Sequence, residues 1–169
     1  MKQLAVENWL EIDPIVASGV FVRLSLEDGT VQQISARDWT ERLLAIHVSP
    51  SVPTVVRDQI AIARGAMIYG SLFYPLFTLG LEQLFRVTES AARIKAVELG
   101  MRKDRPYHAI LTDLHAAGAL TDDEYREWTG VRRFRNATTH ADKAMILPPG
   151  AAIGMFAAVV GSTNRLFTG

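Results

Sequence analysis

Near the C-terminal end of the chain, the run Val131-Arg132-Arg133-Phe134-Arg135-Asn136-Ala137-Thr138-Thr139-His140 puts three guanidinium groups and an imidazole close together. That set of side chains suits cleavage of a phosphodiester without a metal. In such a reaction the 2′-hydroxyl of RNA is the nucleophile. The protein must remove its proton, protonate the departing 5′-oxygen and stabilise charge on the phosphorus. His140 can carry the protons, because an ordinary imidazole pKa of about 6.5 lies close to working pH. Arg135 is always charged and can grip the non-bridging oxygens through its fork. Asn136 can fix the histidine tautomer or bond a phosphate oxygen. Arg132 and Arg133 extend the positive charge along an RNA backbone, a role that calls for charge more than geometry.

The spacing constrains the element that carries these groups. Arg135 and His140 are five positions apart, and at about 100° per residue a straight helix would turn their side chains about 140° away from each other. For both to serve one phosphate, the helix must loosen between them. Asn136, Thr138 and Thr139 compete for backbone hydrogen bonds and weaken a helix end. The motif is therefore expected at a helix terminus.

Arg135-Asn136 followed by His140 resembles the Arg-x4-6-His motif of HEPN proteins (higher eukaryotes and prokaryotes nucleotide-binding domains). The segment Tyr74-Pro75-Leu76-Phe77-Thr78-Leu79-Gly80-Leu81-Glu82-Gln83-Leu84-Phe85-Arg86 is similar to the long helix with a Leu-Glu pair in bacterial HEPN-like proteins. The resemblance spans roughly Val52 to Phe167. It implies an up-and-down helical bundle, pairing of two copies through the motif surface, cleavage in single-stranded RNA, and a place in toxin-antitoxin or antiviral defence systems with an antitoxin or defence partner. HEPN toxins silenced by a partner nucleotidyltransferase carry a tyrosine two residues after the histidine. Here that position is Asp142, a residue able to pair with His140.

Composition sets the frame. At 169 residues the chain fits one ordinary domain with a small appendage. Lysine plus arginine and aspartate plus glutamate are equal at 18 each, so RNA binding must come from a local patch and not from bulk charge. The absence of cysteine excludes disulfides and thiolate chemistry and is compatible with a reducing cytoplasm, the expected location. Glu7 falls where an export signal would carry its apolar run. Residues 65–81 and 144–164 approach membrane-spanning length, but glycines and prolines interrupt both, so each is expected as a buried bundle helix and no membrane association is expected.

Stepping along the chain, residues 1–50 read as an appendage and 51–169 as the bundle. Val20 to Leu26 and Val31 to Ile34 flank Asp28-Gly29 and predict a hairpin, which must pack either on the helices or on a second copy. Ser35 caps a helix predicted through Trp39, Leu43, Leu44 and His47, with His47 facing the helix dipole. Helical spacing recurs from Val55 to Ile68, from Pro75 to a stop at Gly100, and from Pro106 to a stop at Gly118. Thr121 with Glu124 forms a capping box opening the motif helix, Ala141 to Leu147 reads as loop, and Pro148-Pro149 opens a final apolar helix offering a self-associating face. Glu82, Arg86, Glu89 and Arg93 share one face and predict two ion pairs. Either Glu82 or Glu89, with Glu82 favoured, could instead turn inward to hold Arg135.

Other readings use the same residues. Arg135 and His140 could be structural ties in a noncatalytic helical interaction module, or the patch could bind a nucleotide, with Phe134 or Trp128 stacking on its base. His108 and His115 share a face, but no third ligand stands near them. No metal or cofactor is expected.

Overall fold

The computed structural model describes residues 2–19, 21–24, 29–102, 104–138 and 149–168; the side chains of 23–24 and 134–138 also lie outside the description. The chain is mainly α-helical, as expected, with seven helices and one two-stranded antiparallel ribbon among the described residues.

The ribbon pairs β1 (Val22–Leu24) with β2 (Val31–Gln33), Val22 facing Gln33 and Leu24 facing Val31. It packs on the helices through the next residue pair, Phe21 and Ile34, both buried. The Phe21 ring stacks on Tyr74 at 5.3 Å and tilts against Trp39 at 5.6 Å. The appendage thus shares the core of the bundle. Residues 25–28 of the expected turn lie outside the description, while Gly29 adopts φ 68°, a value that favours glycine.

Ahead of the ribbon, α1 (Pro14–Ala17) is capped by Asp13, whose carboxylate is fully buried. Its Oδ1 accepts from the Ile15 N–H at 3.1 Å and its Oδ2 from the Tyr74 N–H at 3.0 Å. Lys2 is buried too, donating to the carbonyls of Glu11 and Leu72. In residues 2–13 the polar side chains of Lys2 and Asp13 face in, while Leu4, Val6, Trp9, Leu10 and Ile12 are exposed.

The predicted capping box opens α2 (Ala36–Ala45), with Ser35 accepting from the Asp38 N–H and Asp38 accepting from the Ser35 N–H. The helix is shorter than expected. It buries Trp39 and Leu43 and leaves Leu44 exposed, because a step of about 100° carries Leu44 off the inward face. His47 lies past the helix, and its carbonyl accepts from Asn164 Nδ2 at 2.9 Å.

Next, α3 (Thr54–Tyr69) and α4 (Pro75–Glu98) form the central antiparallel hairpin. They approach closely at Gly80, where a Cβ would stand 2.4 Å from Met67 Cγ and 3.0 Å from the Ala63 carbonyl oxygen. Within residues 65–81, Gly70 to Tyr74 form the turn between the two helices, so this apolar stretch is split. The end of α4 is a Schellman motif: Gly100 takes φ 76°, its N–H bonds the Val97 carbonyl, and Met101 N–H bonds that of Ala96. The same device at Gly118 closes α5 (Tyr107–Ala116).

The motif helix, α6, spans Asp122–Thr138, and α7 spans Pro149–Thr168. The apolar load of α7 goes into the core of its own chain, where Ile153, Phe156, Val159, Val160 and Leu166 are buried. Its packing is against α4 and α2. Asn164 also fastens α7 to the link before α3, bonding the His47 carbonyl and the Ser49 N–H. Among the described residues, no helix is long and apolar enough to cross a membrane.

Candidate nucleic-acid interface

The candidate patch depends on how α6 is oriented and which of its charges are already satisfied. Thr121 accepts from the Glu124 N–H through its hydroxyl, and Glu124 accepts from the Thr121 N–H at 2.9 Å, so the predicted capping box sets where α6 begins. Arg165 of α7 then donates to Glu124 at 2.8 Å and to Glu127 at 3.2 Å. Two residues on, the Phe167 ring lies 5.6 Å from the Lys95 ammonium near the end of α4. The start of α6 is therefore fixed where α4 and α7 finish. Seventeen residues of helix carry its other end about 25 Å away.

Charge is sorted along this helix. The acids of its first half all have basic neighbours: Asp122 bonds His115, Asp123 bonds Arg126, and Glu124 and Glu127 share Arg165. The Thr121 backbone N–H holds the Glu124 carboxyl below its usual range, with Arg165 adding to the effect, whereas burial pushes Glu127 up. The second half carries Arg132, Arg133 and Arg135.

Neither Arg132 nor Arg133 makes an ion pair or hydrogen bond with a described residue, but their surroundings differ. Arg133 is exposed. Arg132 stands four residues after the buried Trp128, and residues so spaced share a helix face. It is half-buried, with its Nε shielded from solvent and without an acceptor among the described residues. The indole Nε1 of Trp128 is likewise buried without an acceptor. The sequence gives a signal for this distinction in the 128–132 spacing, but adjacent arginines look equivalent until the buried face of the helix is known.

Arg135 and Asn136 occupy the positions three and four residues beyond Arg132, within α6. Their side chains, and all of His140 and Asp142, lie outside the described residues. The expected loop at 141–147 does as well. The helix containing Arg135 is described as far as Thr138, two residues before His140.

The supporting carboxylates divide. Glu89 is half-buried and accepts from Arg93 Nε at 3.1 Å and Nη2 at 2.7 Å, while Arg93 also donates to the Arg105 carbonyl. This was one of the two predicted ion pairs. The other does not form: Glu82 and Arg86 are both exposed and no ion pair joins them. An exposed i,i+4 pair is worth only a few tenths of a kcal/mol, too little to hold two long side chains against solvent.

Trp128, offered by sequence as a base-stacking surface, is 1% exposed and presents no open ring face. His115 bonds Asp122 at 2.7 Å and stacks on Tyr125 at 4.6 Å, tying α5 to α6, while His108 is exposed. No group of three or more potential ligands is placed to hold a metal among the described residues. A shallow hollow at the corner between α4 and α5 is lined by Met101, Arg102, Arg105 and Asp113 with two alanines. Both of its arginines already have carboxylate partners.

The chain matches no family model, no curated protein and no solved structure.

Proposed function

We propose that the protein is a metal-independent endoribonuclease of HEPN type, using Arg135 and His140 on the phosphate and 2′-hydroxyl of RNA. The observation that carries this reading is the charge sorting on α6. Carboxylates at the start of the helix are occupied by His115, Arg126 and Arg165, and Arg132 and Arg133, which lead into Arg135-Asn136, have no carboxylate partner among the described residues. Unpaired guanidinium groups on one helix end suit a polyanion.

In this reading His140 takes the 2′-hydroxyl proton and a protonated imidazole returns one to the 5′-oxygen, producing a 2′,3′-cyclic phosphate. Arg135 neutralises charge at the phosphorus, Asn136 fixes the imidazole or bonds a phosphate oxygen, and Arg132 and Arg133 hold the flanking backbone. Since one Arg-His set supplies few proton carriers, two copies pairing across the motif surface would complete a cleft. A toxin-antitoxin or antiviral role, with an antitoxin or defence partner, follows from the same resemblance, and the absence of cysteine fits a cytoplasmic location. The buried Trp128 counts against the nucleotide-binding alternative, because a stacking platform must be open.

The test is cleavage of a fluorescent mixed-sequence RNA in EDTA by the native protein, Arg135→Ala and His140→Ala, each shown to be folded by circular dichroism. Cutting that leaves 2′,3′-cyclic phosphate ends and drops at least about a hundredfold in both variants is expected. Cutting that persists in both would refute the assignment of the site. No cutting by the folded native protein would favour the noncatalytic interaction module.

A further inference from the structure

Arg132 and Arg133 are one step apart in sequence and about 100° apart around α6. Charge alone would make them interchangeable, yet their environments are not. Arg133 projects into solvent, where an arginine and a lysine attract a phosphate strand about equally. Arg132 lies half-buried on the face that carries Trp128, its Nε shielded from solvent, and among the described residues neither a hydrogen-bond acceptor nor a carboxylate answers it. A neutral donor such as the Trp128 indole N–H can be met by a buried water. A guanidinium with one nitrogen shielded from solvent also calls for a counter-charge, and none stands beside it among the described residues.

We infer that Arg132 is a phosphoryl receptor that grips one phosphate group through the terminal nitrogens of its fork, with the packing around its buried Nε holding the fork in place. This inference rests on the proposed RNA reading for the source of that phosphate, but not on cleavage. A phosphoryl group fits better than a carboxylate peptide because it offers more acceptor oxygens to donors on one helix face, and because Arg133 beside it continues the positive surface as a repeating phosphate backbone requires. The role differs from that of Arg133: Arg132 acts by geometry, Arg133 by charge.

The experiment compares Arg132→Lys with Arg133→Lys, both of which keep the net charge. Binding of a fluorescent 2′-O-methyl single-stranded RNA is measured by anisotropy. That probe has no free 2′-hydroxyl, so binding is separated from cutting. Circular dichroism and thermal melting confirm that both variants are folded. Arg132→Lys should weaken binding about tenfold or more, the scale of losing a bidentate charged hydrogen bond, and Arg133→Lys should change it by less than about twofold. Inorganic phosphate should compete for the native protein and lose its effect in Arg132→Lys. Phosphate that binds in an Arg132-dependent way while the RNA does not would assign the receptor to a free phosphate ion. Equal effects of the two substitutions, or competition by a glutamate-rich peptide as strong as that by phosphate, would overturn the inference. A protein that binds this RNA through Arg132 but cuts no RNA would sink the ribonuclease reading and leave the receptor standing.

Discussion

Gly80 is where the central hairpin can be tested by the sign of a single substitution. In an open helix, glycine to alanine stabilises by about 0.5–1 kcal/mol, because alanine loses less conformational freedom on folding. At Gly80 the added Cβ would stand 2.4 Å from Met67 Cγ and 3.0 Å from the Ala63 carbonyl oxygen. Met67 is fully buried and cannot swing into solvent, and the carbonyl belongs to the α3 backbone. Relief therefore requires α3 and α4 to separate or Met67 to leave its rotamer, an overpacking cost of about 1–3 kcal/mol. Set against the propensity gain, Gly80→Ala should lower stability by about 1–2 kcal/mol in urea unfolding at unchanged m-value. Gly154→Ala on α7, where nothing lies within 4 Å, is the control and should raise stability by about 0.5–1 kcal/mol. Adding Met67→Ala should make Gly80→Ala less costly, since the two side chains would compete for one volume. A Gly80→Ala protein as stable as the native one would refute the close approach on which the packing of α3 against α4 depends.

Two further outcomes test how the bundle is fastened. Asp13→Ala removes a buried carboxylate that accepts two backbone N–H groups, and should cost about 3 kcal/mol, lowering the melting midpoint by about 6–12 °C in a chain of this size. The carboxyl of Glu124 is held below its ordinary value of 4.5 in the fold, so its contribution is present above that value and is lost as pH falls through the lowered one. Glu124→Gln should therefore be less stable than the native protein near neutrality, with the gap closing on acidification below about pH 5; a gap that stays constant with pH would remove this carboxyl from the account.

Local chemistry was legible in the sequence, and distant chemistry was not. Ser35 with Asp38 and Thr121 with Glu124 announce capping boxes because their partners are three residues away. Gly100 and Gly118 announce helix ends because they adopt the positive φ their positions require. The two-stranded ribbon and the helical stretches of α3, α4 and α7 follow from local pattern in the same way. Asp13 bonds Tyr74, Lys2 bonds Leu72 and Asn164 bonds Ser49, and no periodicity links positions so far apart. The Glu82–Arg86 pair, expected from spacing, does not form for a different reason: exposed pairs have little energy to hold them. At the candidate site, residue types suggested the chemistry. The difference between Arg132 and Arg133 needed the packing of Trp128 to become visible.

The Asn164 clamp bears on how the chain reaches its folded state during synthesis. The residues that α7 buries, and the Asn164 side-chain hydrogen bonds to His47 and Ser49, all come well after α4 in the sequence. A growing chain makes α2 through α4 long before it makes them, and translation adds about 5–20 residues per second. For that interval, the faces of α2 and α4 on which α7 packs lack its cover. Closure of the core therefore waits for α7, and the nascent protein carries an open apolar groove until that helix has left the ribosome.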